Sequence, residues 1–218
     1  MSYRPALAGV GAALVYGATV LVGGAITPGY SHVRDHVSTL IQAGAQKAPL
    51  LVPPPFLVYN LLTLAMGLAL VVMARRSALR HRRLGVLSGW ALVVEGLVGA
   101  LTLAFPQDPI GSPVTTAGAT HIALAAASSL LTMVAVGLGG AWLLTAGALR
   151  PAAWYSLVTL AVIFGFGVIT AVATANLDPL MGLYERVTIF AFIQWLFVIG
   201  LVLATQGPPT HAQQLEST

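Results

Sequence analysis

The chain has 218 residues, 57% of them hydrophobic and 7% charged; a soluble domain carries roughly 25% charged residues, so a soluble globular protein is excluded. With no cysteine it can hold no disulfide, thiolate metal site or thiol nucleophile. The formal charge of +4 is concentrated between Arg75 and Arg83, where five of the ten basic residues lie, and such a local cluster speaks for membrane topology rather than a nucleic-acid partner.

Six uncharged or nearly uncharged stretches read as membrane-spanning helices, each long enough to cross a hydrocarbon layer of roughly 30 Å. Strand-like alternation is absent, so the spans must satisfy their own backbone bonds as helices. The expected architecture is an all-α, six-helix transmembrane bundle over residues 1–205. The first span covers about 6–26, too long for the apolar core of a signal peptide.

The loop that follows contains GYSHVRDHVSTL, residues 29–40, the densest polar chemistry in the chain. Read as a helix over 31–42, it has Ser31 as N-cap, with Val33, Val37, Leu40 and Ile41 on one face and His32, Asp35, His36 and Thr39 on the other. That pattern predicts a short amphipathic helix lying in the membrane interface. Two histidines at i and i+4 around a carboxylate can also chelate a divalent metal such as zinc, with His121 as a third ligand. The structural alternative has these groups bonding neighbouring loops, with Arg34 paired to a carboxylate.

Pro53, Pro54 and Pro55 end the loop and start the second span, about 55–74, which carries Asn60 and Thr63. The third, about 84–105, holds Glu95 on a stripe with Ser88, Gly99 and Thr102. A carboxyl inside a span costs about 2.5–3.5 kcal/mol to insert, so Glu95 is a functional candidate unless a neighbouring helix bonds it. A DPIG turn at 108–111 precedes the fourth span, about 117–145, where His121, Ala125, Ser128 and Thr132 share a face. The fifth, about 152–175, contains GFG at 165–167, a candidate for a broken helix, and Thr170 and Thr174 near its end. A DPLMG turn at 178–182, echoing the first, leads past Glu185 into the sixth span, about 186–205, and a polar tail over 206–218 expected to be disordered.

An even number of spans puts both termini on one side. Arg4, the arginine cluster and Arg150 share that side, whereas Arg34, Lys47 and Arg186 are opposite, which predicts cytoplasmic termini. His32, Asp35, His36, Asp108, His121, Asp178 and Glu185 then fall on the outer side. They point to an outward-facing cavity narrowing towards Glu95. The expected catalytic groups are Glu95, Asp108, His121, Asp35 and His32, with Asn60, Arg34, Ser128, Thr170 and Glu185 binding substrate. The chemistry is acid–base, such as proton-initiated cyclisation or isomerisation of an isoprenoid, which needs no cofactor, or metal-assisted hydrolysis of a lipid. The non-enzymatic alternative is a small transporter, a lipid-binding protein or an accessory subunit of a membrane complex. An electron carrier is disfavoured because only His121 lies on a span to ligate haem.

YSHVRD (30–35) followed by Ser38, FPQDP (105–109) with TTAGATH (115–121), and GLYERV (182–187) with Trp195 resemble the bacterial six-span membrane family of unknown function DUF998, and more distantly the Frag1- and DRAM-related proteins. The resemblance spans nearly the whole chain. It implies the six-helix layout and a place in the bacterial cytoplasmic membrane, and no settled activity. The family's Ser-Glu-Leu-Gly run is altered here to Ser38-Thr39-Leu40 with Ile and Gln before Ala43-Gly44, so the family's acid is missing, and His36 stands where a hydroxyl residue is common.

Overall fold

A computed structural model describes residues 4–42 and 52–207. Among these residues all regular structure is helical. Six helices are long and apolar enough to cross a membrane: α1 (Ala8–Ile26), α2 (Pro53–Arg76), α3 (Arg82–Thr102), α4 (Thr116–Leu143), α5 (Arg150–Ala175) and α6 (Met181–Gln206). The chain is therefore a multi-pass membrane protein. Most of the expected tail (208–218), Lys47 and the Ala43-Gly44 departure lie outside the described residues.

Local chemistry sets the helix ends. Prolines occupy the first turn of α2 and of α5, where a missing N–H costs nothing. Thr115 caps α4, its hydroxyl accepting the Gly118 amide at 3.1 Å. At GFG, α5 runs on unbroken, so the broken-helix expectation fails: glycine only weakens a helix, and in an apolar span the backbone keeps its own hydrogen bonds because nothing else can satisfy them.

Each helix packs on its neighbours in sequence, and α6 returns to α1, so the six form a closed ring. Its tightest seam joins α2 and α3, where a Cβ on Gly67 would sit 2.6 Å from the Gly89 carbonyl oxygen and one on Gly89 2.7 Å from that of Gly67. Only glycine allows the two backbones to meet there. The half of the ring near the termini is filled by large side chains, with Trp142, Trp195, Leu196 and Leu203 wholly buried. Trp195 Nε1 donates to Ser156 Oγ at 2.9 Å, satisfying its one polar atom. The other half is lined by smaller and more polar residues, and a cavity of about 530 Å³ remains between the helices there.

The interfacial helix expected over 31–42 does not form. Residues 31–35 make a single turn, His36 is extended, and a short 3₁₀ helix follows at Val37–Ile41. The cause is competition from α6. The Val33 carbonyl and Val37 N–H would bond each other in a helix; instead Val33 accepts Leu183 N–H at 2.8 Å and Val37 donates to Glu185 Oε2 at 2.7 Å. His32, Asp35 and His36 consequently share no face.

Candidate functional site: a roofed cavity with a buried carboxyl

The stripes read along α3 and α4 converge. Glu95 and Gly99 from α3 face His121, Ala125, Ser128 and Thr132 from α4 across the cavity. Asn60 joins from α2, Thr170 and Thr174 from α5, and Glu185 from α6. Ser88, from the same α3 stripe, instead donates to the Ala135 carbonyl at 2.7 Å and seals the seam below. Tyr16 and Tyr59, which the sequence pattern does not single out, supply aromatic wall, their rings edge to face at 4.8 Å.

Glu95 is 3% exposed. Its Oε1 accepts the Ser128 hydroxyl at 3.1 Å, whereas Oε2 has no hydrogen-bond partner among the described residues. Among those residues no lysine or arginine lines the cavity. An unpartnered buried polar atom costs about 1–3 kcal/mol; Oε2 itself is buried, while the Glu95 side chain forms part of the cavity wall. His121 lies seven residues before Ser128, hence about 10 Å nearer the start of α4. Its Nδ1 lies 2.8 Å from the Phe105 carbonyl oxygen. A carbonyl only accepts, so Nδ1 carries the proton and the lone pair of the neutral ring is on Nε2.

The segment 29–42 roofs this cavity, with Val37, Ser38 and Ile41 in its lining. Arg186 anchors the roof. Its Nη1 donates to the carbonyls of Asp35 and Gly182, each at 2.8 Å, and its Nη2 to the Tyr30 hydroxyl. That hydroxyl in turn donates to the His36 carbonyl at 3.1 Å. Burial, partly opposed by Arg186, pushes the Tyr30 phenol up to about 12, so it stays a donor at any physiological pH. Gly182 lets the roof lie directly on α6, since a Cβ there would sit 2.5 Å from the Asp35 carbonyl oxygen. Ser38 also donates to the Gln107 side chain, joining the roof to the loop before α4.

His36 is the second anchor. Its Nε2 lies 3.1 Å from the Thr174 hydroxyl, whose single proton goes to the Thr170 carbonyl at 2.8 Å. Nε2 must then donate to Thr174, while Nδ1 faces Glu185 Oε1 at 3.3 Å. Donation from both nitrogens describes an imidazolium paired with a carboxylate. Burial alone would depress the His36 value, but the hydrogen bond and charge of Glu185 outweigh it and the net shift is upward.

Other expected site residues stand elsewhere. Asp108 accepts the Thr115 amide at 2.7 Å and its hydroxyl at 2.9 Å, fixing the start of α4, and does not line the cavity. Asp35 accepts the Ser31 amide at 2.7 Å and meets Arg34 at 3.3 Å, closing its own turn. His32 packs edge-on to Tyr30 with its ring against Gly24. Burial and the Arg186 charge lower its value. Among the described residues, no three His, Asp or Glu side chains are gathered so as to hold a metal ion, and His32, His36 and His121 each have separate surroundings. In the sequence Arg186 counts only as one charge of the topology; its place beside Glu185 at a helix start, in the GLYERV motif, is the available signal of its role.

A ring of six membrane helices around a mostly apolar cavity with a buried carboxyl in its wall is the class of protein that fold and site define. The family model described as Protein of unknown function (DUF998) matches residues 10–202, and the chain belongs to that family. No curated protein and no solved structure matched in the corresponding searches.

Proposed function

We propose that the protein is an intramembrane enzyme that transfers a proton to and from a lipid- or isoprenoid-type substrate held in the central cavity. The observation that carries this reading is Glu95, whose Oε2 lacks a partner among the described residues, within a mostly apolar enclosure that also holds His121. In its acid form a carboxyl so placed can protonate a double bond of the substrate, a nearby substrate oxygen holding that bond against it. The cation that forms is shielded from water by the helices and faces the Tyr16 and Tyr59 rings. Ring closure or rearrangement carries the cation along the substrate, and loss of a proton from a carbon at the His121 end of the cavity to His121 Nε2 ends the reaction. One proton is gained and one lost, so the product is an isomer or ring-closed isomer and no co-reactant is needed. The acid–base version is favoured over metal-assisted hydrolysis because the candidate ligands are not gathered. Transport receives no support from α5, which is continuous. With termini in the cytoplasm, as the arginine distribution suggests, the cavity belongs to the outer leaflet.

The test uses the full chain in lipid nanodiscs, incubated in D₂O with an apolar lipid extract of the source membrane. Proton-initiated chemistry places deuterium on a carbon of a product lipid, read by mass spectrometry, and Glu95→Gln abolishes the signal. A lipid that stays bound without deuterium uptake would replace the enzyme with a lipid-binding protein. Undiminished uptake in Glu95→Gln would remove that residue from the chemistry.

A further inference from the structure

Cavity access differs sharply between the aqueous end and the side of the bundle. At the end away from the termini, the roof is tied down by Arg186, by the His36–Glu185 pair and by the Ser38–Gln107 bond. Between α4 and α5 the opposite holds. Near the termini these helices touch, since a Cβ on Gly140 would meet the Ser156 Cβ at 2.9 Å and one on Gly137 would meet Leu160 at 3.2 Å. Towards the roof they part. A Cβ on Gly165 would meet nothing within 4 Å, and one on Gly167 only Thr188 of α6 at 4.0 Å. Along this stretch Ala125, Ala126 and Ser129 of α4 and Ala171 of α5 line the cavity and are exposed rather than packed against a neighbouring helix. Ile122 does the same at 59% exposure. Together with the absent neighbours at Gly165, exposed lining residues on both helices fit an opening in the wall at this place.

We infer that the gap between α4 and α5 is a lateral portal through which an uncharged, oxygen-bearing long-chain lipid slides from one leaflet into the cavity, placing its hydroxyl, ether or carbonyl oxygen at Glu95. This rests on the cavity being the ligand site, and it names the substrate class for it. Three features select that class. The portal is flanked by small side chains at hydrocarbon depth, where a chain passes without desolvating a charge. Among the described residues the charged groups in the lining are Glu95 and Glu185, with no arginine or lysine to receive a phosphate or carboxylate head. The unpartnered Oε2 of Glu95 lies beyond the portal and accepts or donates a hydrogen bond according to its protonation. Because the portal occupies only the half of α4 and α5 away from the termini, it draws from a single leaflet.

The experiment reads occupancy, not turnover. The full chain in phosphatidylcholine nanodiscs is irradiated with a long-chain alcohol carrying a diazirine, and adducts are mapped by peptide mass spectrometry. Adducts are expected on α4 residues 122–129, on α5 residues 165–171 and on the α3 peptide around Glu95. Ala126→Trp with Ala171→Trp lowers the α3 adducts about tenfold, the equivalent of 1.4 kcal/mol, without changing labelling of the outer surface. If that pair does not fold, Ala126→Leu and the wild-type map carry the same comparison. Unchanged α3 labelling in a folded plugged variant, or equal labelling by a short water-soluble diazirine alcohol, overturns lateral access. Equal labelling by the matching fatty carboxylate overturns the uncharged head. Cavity adducts without deuterium uptake would leave the portal standing and remove the enzyme; uptake without portal labelling would do the reverse.

Discussion

Replacing Glu185 by glutamine separates the charge of the roof anchor from its hydrogen bonds. In Glu185→Gln the side-chain amide oxygen would still accept the Val37 N–H, and the NH₂ would donate to His36 Nδ1 in the tautomer that keeps Nε2–H on Thr174. The polar groups stay paired, and what is lost is the charge on one side of a pair whose side chains are 9% and 18% exposed. A charge-assisted hydrogen bond contributes about 1.5–3 kcal/mol, against about 0.5–1.5 for a neutral one. The substitution should therefore cost on the order of 1–1.5 kcal/mol of roof closure, a fall of about tenfold in amide protection.

The sign of the pH dependence follows from the direction of the His36 shift. Its folded value is raised above the ordinary histidine value of 6.5, so the added stability is fully present below about 6.5 and is lost as pH rises through the folded value. Hydrogen exchange of residues 30–41 in nanodiscs, corrected for intrinsic rates, reads the opening directly. Wild type should lose protection across that window, whereas Glu185→Gln should be low and flat. A flat wild-type profile, or a pH dependence retained in Glu185→Gln, would refute the ion-pair assignment.

Gly89→Ala should destabilise the bundle by about 1–3 kcal/mol, read by thermal unfolding in detergent, since its Cβ would meet the Gly67 carbonyl oxygen at 2.7 Å. Asp108→Asn should cost about 1 kcal/mol through the start of α4 and leave deuterium uptake intact; lost turnover with unchanged stability would make Asp108 catalytic. Arg186→Met removes the two hydrogen bonds it donates to the roof, and about 3–6 kcal/mol of roof closure should go with them, detected as protease nicking within 29–42.

The predicted site residues divide according to whether a helix or a loop carries them. Glu95 with Gly99, and His121 with Ser128 and Thr132, are legible because spacing on a helix is a geometric rule that neighbours do not alter. For the same reason these residues meet across one cavity. The segment 29–42 defeats a sequence reading because the helical pattern there is local. The hydrogen bonds that would make a helix are displaced by Leu183 N–H and the Glu185 carboxylate, more than a hundred residues away in sequence. Asp108 shows the same limit: an acid before a helix looks like a reactive group or a cap, and only the position of Thr115 distinguishes them.

From the sequence by itself followed the number of spans, the shared side of the termini and the polar stripes, because hydrophobic length and helical periodicity are properties of each segment alone. The tertiary structure decided which stripes share a cavity, that Arg186 and Glu185 hold a roof over it, and that α4 and α5 touch at one end and part at the other. Those depend on side-chain size and hydrogen-bond competition between segments distant in sequence, which no single stretch of the chain contains.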